Sequence, residues 1–494
     1  MTQKVKGQIT VFAALVFMLV TGLILTCLKS AVVYSYMTCA KQAAMISVEN
    51  LMTHYHPVLK KYYGIMALDG GLGSSRLHLE TLRVWAEDSF VHYMEGSALY
   101  GGSLELQADT PDIMMLDDQE WAYMRREILL GWKDKIKEES FDGVLNLWNY
   151  AHHSISGDIR EEEEKAELVY SQREEKEESE ETQKGQEPID PRDGLADLLK
   201  GGVLAAALPD GYVLSEKSAD FSDVSYPVEK EGAWEASTDF KDVDEVQALF
   251  ESLSENMDLS AVIQKGEQFA ALYSYIPEVF SNGSMTWEGV SHERALSYEM
   301  EYLLNGSGSD RENLEAAVKK LIWLRMFLNM AYLLTHPKED AKVRETAALI
   351  AGFLLLPEFQ EVICILLKLA WAYTESLADC RTLLEGEKVS LLKKEGDWKI
   401  SWESMLGLSA DTLDQTENRG EGGMDYTGYL TLFLMLMSNE TLMRRMTHLM
   451  EKNIRLTEGN GSFCMSNCIY GIRGSFDYSV GGIFRQNTAV SMTY

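Results

Sequence analysis

From Gln8 to Leu28 the chain carries no charged residue. Val, Ala, Leu, Phe, Ile and Met dominate this run. At 1.5 Å per residue a helix over it is roughly 30 Å long, the thickness of a bilayer's hydrocarbon core. Lys4 and Lys6 precede it and no acid does, a flank that favours a cytoplasmic N-terminus and sends the chain beyond Leu28 outward. A cleaved secretory signal has a shorter apolar core of about 7–15 residues and a small-x-small site. Here "TCLKSAVVYSY" offers only a poor one. A core helix of a soluble protein seldom avoids charge for so long. The expectation is a retained, single-pass helix in the cell membrane, touching lipid through residues 8–28. The pattern then turns amphipathic with no Gly or Pro between Gly22 and Pro57, which predicts a stalk within residues 1–63.

Beyond the stalk, "RLHLETLRVWAEDSFVHYMEG" has apolar residues near helical spacing, "GSLELQAD" alternates like a strand, and "DDQEWAYMRREILLGWKDKIKEE" returns to helix. These make a first α+β region over 64–157. Residues 158–193 hold fifteen acidic residues against six basic and few apolar ones. Such a stretch buries too little to offset its chain entropy and is predicted to be a disordered acidic linker. The rest, 194–494, is predicted to be mainly helical with C-terminal strands. Pro209-Asp210-Gly211 is a turn signal. "ALSYEMEYLL" alternates and is predicted to be a strand, and Ser309 with Glu312 has capping-box spacing. "AALIAGFLLLP" and "VICILLKLAWAY" are shorter than a membrane span and divided by Pro357, Glu358 and Glu361, so they are assigned to a buried bundle. The tail from Gly461 is glycine-punctuated and β-prone, an antiparallel sheet that is expected to pair with the strands near Leu104 and Tyr298. The fold class is α+β: a transmembrane helix and stalk, then an extracytoplasmic body with a helical bundle and an antiparallel sheet.

The net charge is −32, from 77 acidic and 45 basic residues. A surface of that sign repels phosphate backbones, so nucleic acid is not an expected partner. Six cysteines are too few and too scattered to staple 494 residues.

The chain has no phosphate loop, dinucleotide fingerprint, nucleophile elbow or zincin motif. No catalytic residue, metal ligand or cofactor is assigned, and the chain is not read as an enzyme. His54 and His56, two apart, diverge on a helix; His152 and His153 have no acid–base partner nearby. Glu375 and Asp379 lie one turn apart on a predicted helix. With Glu299, Arg325 and Arg381 they are expected to form a buried polar network that fixes helix register, since buried charges need partners. Cys464 and Cys468 are expected to be thiols, brought together only if a turn forms at Ser466-Asn467.

The string Lys4-Val5-Lys6-Gly7-Gln8-Ile9-Thr10-Val11-Phe12 resembles the start of the pseudopilins of tight-adherence pili, in which a basic leader ends in glycine and an apolar helix comes directly after it. The resemblance implies cutting between Gly7 and Gln8 by a prepilin peptidase, then packing of the helix with other pilins or pilus-assembly proteins. One departure is Phe12, where pilins usually carry Glu. "YYGIMALD" at Tyr62–Asp69 resembles the segment after the stalk in larger proteins of this group. "YEMEYLLNG" at Tyr298–Gly306 and "LAWAYTESLADCRTLLEGEKVSLLKKEGDW" at Leu369–Trp398 are similar to an uncharacterised envelope family of Gram-positive anaerobes associated with such pilus loci. The function expected from these readings is a pseudopilin-like or pilus-accessory structural protein. The alternative is an anchored surface binding or sensor protein unrelated to pili.

Overall fold

The structure is a computed structural model that describes residues 2–96, 104–132, 202–226, 266–287, 292–353, 360–391, 393–394, 396–406, 423–480 and 484–494. The predicted linker at 158–193, His152, His153 and Pro357 lie outside the described residues. The chain is mixed α+β and mostly helical, and it divides into two compact units. One joins residues 1–127 to 459–494, and the other covers 128–458. The C-terminal strands therefore belong with the N-terminal region and not with the helical one, which corrects their assignment to the region 194–494; their expected pairing with the strand near Leu104 is present.

In the first unit, helix α1 (Thr2–Met52) is one uninterrupted helix of 51 residues. It ends before α2 (Pro57–Tyr63), where Pro57 opens the helix and the His56 ring accepts from the Leu59 amide at 3.2 Å. Next come β1 (Leu68–Asp69), α3 (Leu79–Gly96), β2 (Leu104–Ala108), β3 (Asp112–Met115) and α4 (Asp118–Trp132), within which the division between the units falls. After the other unit the chain returns through a 3-10 turn at Met465–Asn467 into β4 (Cys468–Val480) and β5 (Phe484–Thr493). The turn includes Ser466-Asn467, the place where one was needed to bring Cys464 and Cys468 together, and both are buried thiols, as expected.

β4 is the middle of an antiparallel sheet. β3 (Met115↔Ile469) and β2 (Ala108↔Phe476) line one side of it, and β1 (Leu68↔Ile469) and β5 (Gly471↔Thr493) line the other. Ile472, Gly474, Phe476 and Tyr478 alternate along β4 with the more exposed Arg473, Ser475, Asp477 and Ser479, the period-2 pattern of a sheet covered on one face. The cover is α1 and α3. Ala40, Ala43, Ala44, Val48 and Leu51 form a stripe at helical spacing against Leu82, Ala86 and Phe90 of α3 and the inner face of β4. Small residues set the distance: a Cβ at Gly474 would come within 3.0 Å of Val48. The predicted stalk is thus, from Ala40 on, part of this core. Phe90 stacks on Phe476 with ring centroids 5.0 Å apart. Phe90→Ala is expected to cost about 3–5 kcal/mol, read as a lower denaturation midpoint.

The second unit contains α5 (Val203–Ala207), α6 (Gly266–Val279), α7 (Glu299–Asn305), α8 (Asp310–Thr335), α9 (Pro337–Phe353), α10 (Gln360–Leu384), α11 (Trp402–Leu406), α12 (Tyr426–Met435) and α13 (Asn439–Arg455). α8, α9 and α10 pack together, and α7 packs on α8, α12 and α13. The strand expected at Tyr298 is instead the start of α7. Every residue from Glu299 to Leu304 is buried, so neither a helical nor a strand stripe distinguishes faces there. The polar residues in the alternation are interior ones with partners. Ser309 does sit at the N-cap of α8, but without a side-chain cap bond; Glu312 instead accepts from the Ser307 hydroxyl.

Candidate functional site

Two features stand out, one in each unit. In the first, the residues of α1 ahead of its packed stripe expose a continuous apolar surface. Phe12, Phe17, Met18 and Leu19 are each at least 70% exposed. This is the single helix among the described residues long and apolar enough to cross a membrane. Its hydroxyls are satisfied within the helix, Thr21 donating to Phe17 O at 2.7 Å and Thr26 to Gly22 O at 2.8 Å. Such internal bonds let polar side chains sit in an apolar medium. Gly7 and Gln8 lie within α1, which is already helical from Thr2.

In the second unit, α10 presents Glu375 and Asp379 on one face, α8 presents Arg325 and Asn329 with the same spacing, and all four are fully buried or nearly so. Arg325 donates through Nε to Asp379 Oδ2 at 2.9 Å and through Nη2 to the same oxygen at 2.8 Å. Its Nη1 donates to the carbonyls of Ser390 (2.7 Å) and Leu391 (2.8 Å) and to the Tyr429 hydroxyl of α12 (3.1 Å). Lys393 donates to Asp379 Oδ1 at 2.8 Å and to Glu375. Lys399 pairs with Asp379 Oδ1 at 3.4 Å and donates to Thr382 at 2.6 Å. Glu375 also accepts the backbone amides of Lys399 (2.9 Å) and Ile400 (2.8 Å). Two carboxylates and three cations thereby tie α8, α10 and α12 to Ser390, Leu391 and Ile400.

That arrangement sets the electrostatics. Burial alone would raise the Asp379 carboxyl, but Arg325, Lys393 and Lys399 outweigh it and hold it well below the ordinary aspartate range. Burial lowers the Lys399 ammonium, and Asp379 offsets part of that. A carboxylate held ionised by three cations is a poor proton shuttle and a good brace. Among the described residues no group of three or more His, Cys, Asp and Glu is placed to hold a metal.

Of the five residues expected in this network, the structure brings together Arg325, Glu375 and Asp379. Glu299 lies in a different cluster, accepting from Arg294, from the Ser281 amide (3.0 Å) and hydroxyl (3.1 Å), and from Asn453 (2.6 Å). Arg381 donates to Ala206 O at 3.0 Å, on the other side of α10. Sequence reasoning missed Lys393 and Lys399. The signal was present: two carboxylates on an apolar helix demand cations, and "LLKKEGDWK" is a nearby downstream source of them.

A family model described as a family of unknown function (DUF5702) matches residues 176–480, more than half of the chain. The chain belongs to that family. Comparison with the curated proteins and with the solved structures gives no match.

Proposed function

We propose that this chain is a membrane-anchored, extracytoplasmic structural protein of the pseudopilin-like or pilus-accessory kind. The observation that carries this reading is α1. Its first half exposes apolar side chains along about one bilayer thickness, and its second half is built into the core of a folded unit. An uncovered apolar surface of that extent in water is costly, at about 25 cal/mol per Å², and it calls for lipid or other apolar helices. Lys4 and Lys6 on the leading side favour an N-terminus in the cytoplasm, with the body outside. The leader up to Gly7 resembles those cut by prepilin peptidases, and the same helix would then pack with other pilins. The network around Asp379 fits this role as a device that stiffens the body.

Purification from native membranes in mild detergent, followed by mass spectrometry, tests the reading. The expected result is a complex that retains pilins or pilus-assembly proteins. A chain that stays in the membrane fraction but comes away alone would favour an anchored surface binding or sensor protein instead. Gly7→Leu is expected to leave the leader uncut, visible as a mature chain heavier by the whole of residues 1–7; a difference no larger than the Gly-to-Leu side chain would mean that the unaltered protein is not cut either and would count against processing.

A further inference from the structure

α7 carries two fully buried carboxylates two residues apart, Glu299 and Glu301. Both hold the same loop, residues 281–287. Glu299 takes the Ser281 amide at 3.0 Å, Glu301 takes the Gly283 amide at 2.7 Å, and between them the Met300 amide donates to Ser281 O at 2.8 Å. The loop is a junction. Asn282 donates to Thr427 of α12 at 2.9 Å, the Met285 amide donates to Leu384 O at the end of α10 at 2.9 Å, and the Tyr212 hydroxyl donates to Gly283 O at 2.6 Å. A Cβ at Gly283 would lie 3.0 Å from both Glu301 Oε1 and the Tyr212 hydroxyl, so the loop backbone rests directly on the carboxyl.

The two carboxylates differ in what compensates them. Glu299 has the Arg294 guanidinium. Glu301 has the Gly283 amide and the Tyr426 hydroxyl (2.8 Å), both on Oε1, and its Oε2 has no hydrogen-bond partner among the described residues. The titratable groups that face it are Tyr426 of α12, Tyr212, Tyr298, and Asp310 at the start of α8, whose negative charge opposes ionisation further. From α13, Arg445 is directed at Leu303 O and His448 at the Tyr302 hydroxyl. A buried carboxyl with one bare oxygen and no cation is best kept neutral. Burial accordingly raises Glu301 to about 7, against the hydrogen bonds from Gly283, Tyr426 and its own backbone that favour the ionised form.

We propose that Glu301 is a proton-operated latch: neutral in acid, it holds loop 281–287 closed on α7, α10 and α12, and its ionisation toward neutral pH releases the loop. In the open loop the carboxyl titrates near its ordinary 4.5, against about 7 when closed. Between those values the closed form binds more protons, so stability of the closed loop is complete below the lower value and falls as pH rises. The opening constant rises about tenfold per pH unit over that window and levels off above it.

Hydrogen exchange of the full chain, read by mass spectrometry on peptides covering residues 281–287 and corrected for the intrinsic pH dependence, tests this directly. The unaltered protein is expected to show an opening constant about 40-fold larger at pH 7 than at pH 5, and Glu301→Gln a flat profile. Tyr426→Phe removes a donor to the carboxylate, so its profile is expected to level off at a higher pH; this variant also serves if Glu301→Gln does not fold. Parallel profiles for the unaltered protein and Glu301→Gln, or an unshifted plateau in Tyr426→Phe, would overturn the proposal.

Discussion

Asp379→Ala is expected to cost about 3–5 kcal/mol of stability, the range for removing one member of a buried ion pair. The side chain is fully buried and answers Arg325, Lys393 and Lys399 together. Its loss leaves a guanidinium and two ammonium groups with Glu375 as the remaining carboxylate of the cluster, and desolvated cations are what make the variant expensive. Denaturant unfolding followed by the fluorescence of Trp371 and Trp398 gives the readout, since Lys393 lies 5.5 Å from the Trp398 ring centroid. The double variant Arg325→Met with Asp379→Leu is expected to be far less costly than the two single changes added, because opposite charges leave together. A loss below about 1 kcal/mol for Asp379→Ala would mean that the cluster is not a brace. The pH dependence has a definite sign. Because the folded carboxyl is held below its ordinary range, its stabilisation is present above that range and is lost as the pH falls from there toward the lower folded value.

The second large effect lies in α1. Leu15→Arg together with Leu19→Arg is expected to release the chain from the membrane fraction on alkaline extraction. Each arginine near the centre of a spanning helix costs about 2.5–3.5 kcal/mol on insertion scales, so the pair costs about 5–7 kcal/mol. Both side chains are exposed in the folded unit, and the unfolding of the body should not change. Retention of the doubly charged variant in the lipid phase would remove the basis for an anchor at this position.

The parts of the fold legible in sequence are those whose pattern has one cause. The apolar run before Lys29 needed only length, and β2 and α3 each show the period of an element buried on one side. Legibility failed where burial is complete. α7 carries Glu299 and Glu301 inward beside Tyr298, Met300 and Tyr302, so hydrophobicity marks no face and the alternation mimics a strand. It failed again where partners are far apart in sequence. The hydrogen bond of 3.0 Å between His56 and Asn460 leaves no local trace, whereas the pairing of the C-terminal tail with the strand near Leu104 was expected and is found between β4 and β2. In the network, spacing identified Glu375 and Asp379 as a pair and correctly demanded cations for them. The choice of Arg381 failed because it stands two residues beyond Asp379 on α10, and side chains at that spacing diverge. Lys393 and Lys399 come from an irregular segment, where no period tells which lysines turn inward.

The pilus reading stands or falls on the N-terminus of the mature chain. Intact-mass measurement and N-terminal sequencing of the protein from native membranes is the most direct test. A chain beginning at Gln8 is the expected result, with the residues up to Gly7 removed. A chain that still carries Met1 or Thr2 would contradict it and leave α1 as a plain membrane anchor.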